Sequence, residues 1–267
     1  MKKLIYLLLV AIAISVYGCR KTGDYVLVGQ LAYTGRHNFP EKLNGKVQEI
    51  RWNAFWAKEE NGKVVRGDIY INPGIIQKYN SSGTILSFVP LDAEGKTRQG
   101  WWSVEVEAEG KIINKALYYL NDTLRGYTKN TYTGNNLTEV KFFDSENDTL
   151  MGSVVYNYDQ NGNRIKWQAF TPKNEPRNYV EFSYSSEGFN EQMKQYSAQG
   201  EMTHLYDYIL NDKGNKISEH HEDFVNDTII DAEIKYEYDN KGNWIKRVFY
   251  QDNKPIYLSE REIKYYE

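Results

Sequence analysis

Two stretches decide how this chain folds: Tyr158-Asp159-Gln160-Asn161-Gly162-Asn163-Arg164-Ile165 and Tyr238-Asp239-Asn240-Lys241-Gly242-Asn243-Trp244-Ile245. A third copy, Leu210-Asn211-Asp212-Lys213-Gly214-Asn215-Lys216-Ile217, carries Asn where the others have Asp. An Asp or Asn that opens a turn accepts a backbone N–H two residues on, and a Gly three residues later takes the left-handed conformation at little steric cost. The unit therefore predicts a type I turn closed by a G1 bulge, a common hairpin connection. On either side the residues alternate, as in Ile234-Lys235-Tyr236-Glu237-Tyr238 before a turn and Ile165-Lys166-Trp167-Gln168-Ala169 after one. Period two means strands with one drier face.

Beyond these copies, glycines that follow a polar turn recur at Gly83, Gly110, Gly134, Gly162, Gly188, Gly214 and Gly242, at intervals of 27, 24, 28, 26, 26 and 28 residues. Such self-similarity is the mark of a repeat architecture. A second turn falls between successive glycines, around Asp122, Asp148, Glu175, Gly200, Asp227 and Lys254. Each repeat is thus two strands and two turns. Strands joined by tight turns need neighbours on both edges, so copies should pair in sequence as an antiparallel meander. The fold class predicted is all-β: about seven two-stranded repeats, about fourteen strands, curling into an open sheet, a spiral or a partly closed barrel because twist accumulates. Leu43-Asn44-Gly45-Lys46-Val47 and the Asn61-Gly62 turn bring the N-terminal part into the same sheet through a less regular hairpin. Gly188 to Gln199 alone has a composition that suits a short helix, and its place in the repeat argues for strand. Aromatic residues at 15% with a mean hydropathy of −0.69 fit half-wet sheets built on amphipathic rings.

The N-terminus has a different character. Lys2 and Lys3 precede the uncharged run Leu4 to Val16, which has the layout of a secretory signal and is too short to span a membrane. Val16-Tyr17-Gly18-Cys19 then sets a small residue before the only cysteine, and this resembles a bacterial lipobox. The resemblance implies cleavage before Cys19, a diacylglyceryl group on its thiol and an acyl chain on its new amine, enough to anchor firmly. The layout is residues 1–18 as lipoprotein signal peptide, 19–40 as a tether with a candidate strand at Tyr25 to Leu31, and 41–267 as the repeat domain. Removing Lys2 and Lys3 leaves 31 basic against 36 acidic side chains, which gives no electrostatic reason to expect nucleic acid.

The Tyr-Asp-x-x-Gly-Asn-x-Ile pattern resembles the YD, or RHS, repeat, and the full layout looks like small bacterial lipoproteins carrying degenerate copies of it. The resemblance implies an all-β wrapping surface over about residues 41–267, an envelope location with the outer membrane favoured over the inner, and no particular reaction. Repeat-turn residues are Gly83, Gly110, Gly134, Asp159, Gly162, Asn163, Gly188, Gly214, Asn215, Asp239, Gly242 and Asn243.

Signs of chemistry are few. His220-His221-Glu222 is the best local cluster, but adjacent strand residues point to opposite faces, so His220 and His221 do not readily hold one ion. No metal or other cofactor is expected. No Gly-x-Ser-x-Gly elbow or phosphate-cradling loop is present, and the 36 acids are spread evenly. Asn121-Asp122-Thr123-Leu124, Asn147-Asp148-Thr149-Leu150 and Asn226-Asp227-Thr228-Ile229 share a good turn sequence. Asp-Thr-aliphatic also resembles the acceptor of a bacterial periplasmic O-glycosylation system, which makes Thr123, Thr149 and Thr228 candidate sites. Trp167 and Trp244 are candidates for stacking against a ligand, beside the bland reading as cross-strand packing. The expected function is a non-enzymatic, membrane-anchored surface that binds a glycan, peptide or protein partner; the alternatives are a structural or assembly component and, third, a hydrolase on an all-β scaffold.

Overall fold

The computed structural model describes residues 43–69, 74–92 and 95–267. The signal segment, Cys19, the tether with Tyr25 to Leu31, and His37 lie outside the described residues. Those described form seventeen strands and no helix: β1 (Val47–Glu60), β2 (Lys63–Ile69), β3 (Gly74–Tyr79), β4 (Ile85–Leu91), β5 (Trp102–Glu109), β6 (Ile112–Leu120), β7 (Thr123–Thr133), β8 (Asn136–Asp144), β9 (Leu150–Tyr158), β10 (Arg164–Phe170), β11 (Pro176–Tyr184), β12 (Asn190–Tyr196), β13 (Met202–Leu210), β14 (Lys216–Asp223), β15 (Thr228–Tyr238), β16 (Trp244–Gln251) and β17 (Lys254–Tyr265). From β3 onward each strand pairs antiparallel with the next.

The sheet is closed, which corrects the open sheet, spiral or partly closed barrel expected from the repeats. Seven glycine hairpins account for fourteen strands, β3 to β16, and such a sheet would end in two bare edges. The remaining strands remove them. β17 pairs with β16, and β1 then inserts between β17 and β3, pairing across Val47–Trp56 on one side and Glu49–Trp52 on the other. Sixteen strands form the antiparallel ring, and β2 is an extra strand on the far half of β1. The physical reason lies in the backbone: an edge strand leaves a row of unpaired N–H and C=O groups, and closure abolishes both rows.

Local chemistry sets the turns. Asp159 Oδ1 accepts the N–H groups of Asn161 and Asn163, and the N–H of Gly162 reaches the Asp159 carbonyl at 3.1 Å. The same pattern recurs at Asp239 to Asn243 and Asn211 to Asn215. Gly214 shows why glycine is required: its φ is +75°, and an added Cβ would lie 2.4 Å from the Phe189 ring. Several intervening turns use left-handed Asn or Asp instead, as at Asn121 and Asp122, Asp148, Asn174 and Asp227, while the β12–β13 turn uses Gly200. Gly188 to Gln199 contains strand β12.

Tyrosines bind one repeat to the next. The hydroxyls of Tyr158, Tyr184 and Tyr236 each donate to a carbonyl just after the preceding glycine turn, on Leu137, Arg164 and Lys216, all at 2.8 Å. Tyr132 does the same to Ile113 at 3.1 Å. Because the bulge after each glycine turn takes a carbonyl out of the ladder, the next repeat's phenol satisfies it, worth about 1 kcal/mol each.

Inward faces form the core. Val104, Tyr118, Phe142, Val154, Tyr156 and Ala169 make one cluster, and Ala232, Ile234, Phe249 and Tyr257 another. The outer wall is polar. Along β15, buried Ile230, Ala232 and Ile234 alternate with exposed Asp231, Glu233, Lys235 and Glu237. Lys166 meets Glu181 at 3.2 Å and Lys246 meets Glu237 at 2.9 Å across neighbouring strands of the same wall. A lipid-facing barrel has the opposite polarity, with apolar side chains outward.

Candidate functional site

Antiparallel order sends alternate turns to opposite rims. One rim carries Gly83, Gly110, Gly134, Gly162, Gly188, Gly214 and Gly242, the glycine turns of the seven hairpins. The chain reaches the barrel here: the Asn44 N–H donates to Asn243 Oδ1 at 2.7 Å, and Asn243 Nδ2 donates back to the Asn44 carbonyl at 2.8 Å. Asn243 Nδ2 also reaches the Tyr265 hydroxyl, which itself donates to Asp239. Hydrogen bonds from that phenol and from the turn amides hold the Asp239 carboxyl below its ordinary range, against the burial that opposes them. Repeat-turn residues therefore clamp the two ends of the domain together, a structural duty.

Beside this clamp lies a cavity of about 190 Å³ lined by Phe189, Asp212, Lys213, Asn215, Asn243 and Trp244 among others. Trp244 is 6% exposed, with the guanidinium groups of Arg261 and Arg247 at 3.6 and 4.7 Å from its ring centroid. Trp167 faces inward opposite Tyr156 and packs on the larger core cluster. The two candidate stacking rings are thus on inward faces.

The opposite rim gathers what the sequence listed separately. Thr123, Thr149 and Thr228 all stand there, at the starts of β7, β9 and β15. Thr123 and Thr149 are exposed, whereas the Thr228 hydroxyl is buried without a hydrogen-bond partner. The same rim carries the β14–β15 connection, where Phe224 and Val225 are 46% and 68% exposed, and the start of β15, where Ile229 is 64% exposed. Together with Leu124 they make four of the six exposed large hydrophobics among the described residues. Ile229 lies opposite Glu222, two residues from Asp231 on the same outward face. Asp223 holds this turn: its Oδ1 accepts the N–H groups of Val225 and Asn226 at 3.0 and 3.1 Å, and its Oδ2 accepts Asn226 Nδ2 at 2.7 Å.

Next to Asp223 sits a histidine pair that local sequence did not bring together. His221 points inward, stacked on Tyr206 at 4.1 Å, and its Nε2 is 3.3 Å from His204 Nδ1. That same His204 nitrogen is 3.7 Å from Asp223 Oδ1. His220 points outward, to Asp231 at 2.7 Å and Glu222 at 3.3 Å. Burial pushes His221 down to about 4, with His204 adding to the effect, and burial also lowers His204 although Asp223 opposes it. His220 moves up, through its bond to Asp231 first. Among the described residues no group of three or more His, Cys, Asp or Glu is arranged to hold a metal ion. The signal that could have revealed the pair is register: Tyr206 opposite His221 places His204, two residues on, next to the inward His221.

No protein-family model matches the chain, and no curated protein does. Among solved structures, a porin-like protein from Bacteroides uniformis matches with a TM-score of 0.40 at 10% identity, over 83% of this chain and 99% of that one. A porin-like protein from Bacteroides vulgatus gives 0.37 at 10% identity, over 82% and 98%. A Tc holotoxin pore from Photorhabdus luminescens gives 0.22 at 12% identity, over 84% of this chain and 13% of that one.

Proposed function

We propose that this chain is a lipid-anchored protein of the bacterial envelope that works by binding, not by catalysis or transport, and that it binds through the rim carrying Phe224, Val225 and Ile229. One observation carries the reading. Three of the six exposed large hydrophobics among the described residues fall within six positions, at 46–68% exposure, whereas Leu124, Ile165 and Ile209 stand apart from one another along the chain. Contiguous exposed apolar groups with a polar border mark interaction sites. The border is acidic, with Glu222, Asp227 and Asp231 beside the patch, so the partner that fits is a protein segment with an apolar side chain and basic flanks. Part of the inward face is packed with side chains at a few per cent exposure, Phe142, Val154, Val180 and Ile234 among them, and this packing supports a binding module over an aqueous channel.

A photo-crosslinking residue placed at Val225 in living cells is expected to trap a discrete protein adduct, and the same group at Lys129 on the wall is expected to trap none. No adduct at position 225, or the same adduct at both, would sink the rim as a binding surface.

The lipid anchor belongs to the same reading: Cys19 holds the protein to the membrane because the charged wall gives the barrel no means of entering lipid by itself. Modification of the rim belongs to it as well. Thr123 and Thr149 follow Asp in exposed turns, where a glycan adds no packing cost, whereas the Thr228 hydroxyl is shielded. Mass spectrometry of native protein is expected to show hexose-type increments on peptides covering Thr123 and Thr149 and an unmodified peptide at Thr228. Bare peptides at all three positions would remove the glycan.

A further inference from the structure

We infer that His204, His221 and Asp223 form an acid-sensitive latch that sets the conformation of the Phe224–Val225 turn. The role of the latch rests on the rim being the binding surface; the latch itself rests on geometry alone. Asp223 is the shared element. Its side chain is 3% exposed, its Oδ1 receives the Val225 and Asn226 N–H groups, and that same oxygen faces His204 Nδ1 at 3.7 Å. The turn has a second tie to the same place, since the Phe224 N–H donates to the carbonyl of Thr203, the residue before His204. The apolar turn is thus held from both sides of one histidine.

With both imidazoles neutral, one N–H bridges His204 Nδ1 and His221 Nε2, and Asp223 Oδ1 is left to the turn. A proton taken up by His204 places a cation beside that carboxylate. The backbone donors are neutral dipoles whereas the imidazolium carries a full charge, so in this shielded site Coulomb attraction draws Oδ1 toward His204 and away from the N–H groups. The turn then loses the acceptor that shapes it.

The groups facing the pair leave few competitors. From β12 the residue opposite His204 is Gln195, and Met193 stands opposite Tyr206. From β15, Ile230 lies opposite His221 and Thr228 opposite Asp223. On β13 the neighbour is the Tyr206 ring. On β14, Glu219 is two residues back and within 3.8 Å of Lys216, and His220 points out of the wall to Asp231 and Glu222. Asp223 is the one carboxylate against the inward pair.

The sign follows from burial. His204 and His221 both hold their proton less tightly than in the unfolded chain, so the neutral, latched form is fully present above the unfolded value near 6.5. It is lost as pH falls below that value, toward about 4 for His221. His204 charges first: burial lowers both and Asp223 opposes it at both, but His204 and His220 add to the lowering of His221.

The test uses the full chain with 4-fluorophenylalanine at position 224, followed by fluorine NMR from about pH 7.5 to about pH 4.5. The expected result is a shift with a midpoint below about 6.5, together with a fall of about tenfold in exchange protection of the Val225 and Asn226 amides after correction for intrinsic rate. The imidazole proton signals of His204 should share that midpoint, and His204→Gln should abolish the fluorine shift. A flat fluorine signal, a midpoint above about 6.5 as His220 would give, or a His204 midpoint that differs would overturn the latch. The shared-midpoint comparison needs no variant, so a poorly folded His204→Gln leaves the proposal testable. An absent adduct at position 225 removes the binding rim and leaves this titration as it stands, so the two failures are distinguishable.

Discussion

Phe142→Ala is expected to lower the unfolding free energy by about 3–5 kcal/mol, near the top of the range for a core truncation. Phe142 is 1% exposed and lies between Thr128 on β7 and Gly152 on β9. Gly152 has no side chain to move into the space. Thr128 is occupied as well: its hydroxyl accepts the Ala116 N–H at 2.9 Å, across to β6. Closure raises the cost further. In an open sheet a strand can shift toward a void, but in a sixteen-strand ring every strand is held by hydrogen bonds on both edges, so the cavity stays. Urea titration is expected to show a lower midpoint with an unchanged slope, and Phe142→Leu to recover most of the loss. A loss under about 1 kcal/mol would mean that the inner wall is loose at this point.

Cys19→Ala is expected to move the protein completely from the membrane fraction to the soluble one, as a folded, monodisperse species that needs no detergent. The anchor and the polar wall both bear on this result. Loss of palmitate labelling tests the Gly18-Cys19 junction as an acylation site. Solubility tests the wall, where Asp231, Glu233, Lys235 and Glu237 face outward from β15 and Lys166 pairs with Glu181 across β10 and β11. A charge on the lipid face of a barrel costs about 2–4 kcal/mol near the bilayer midplane, and this wall carries many. A variant that remains membrane-bound and still takes up label would refute the anchor. One that leaves the membrane but aggregates without detergent would refute the polar wall.

Much of the local structure was legible in the chain, for a definite reason. Asp159, Gly162 and Asn163 act within five residues, so the turn they make depends on side-chain and backbone chemistry that needs no distant partner. Alternation along Ile234-Lys235-Tyr236-Glu237-Tyr238 is local too, and it separates the wet face from the dry. Opposite orientations for His220 and His221 follow from the pleat alone, as does the inward or outward setting of each tryptophan once the register is known.

Ring closure and the rim it assembles depend on residues far apart in the chain. Whether the sheet closes depends on twist summed over sixteen strands and on β1 entering between β17 and β3, a pairing that joins Glu49 to Lys264 across 215 positions. No local pattern carries that sum. The meeting of His204 with His221 and Asp223, and the gathering of Thr123, Thr149, Phe224 and Val225 on one rim, follow from register and strand count. Turn chemistry is short-ranged and written in adjacent residues; ring closure and the surface it assembles arise from hydrogen bonding between strands whose distance along the chain says nothing of their distance in space.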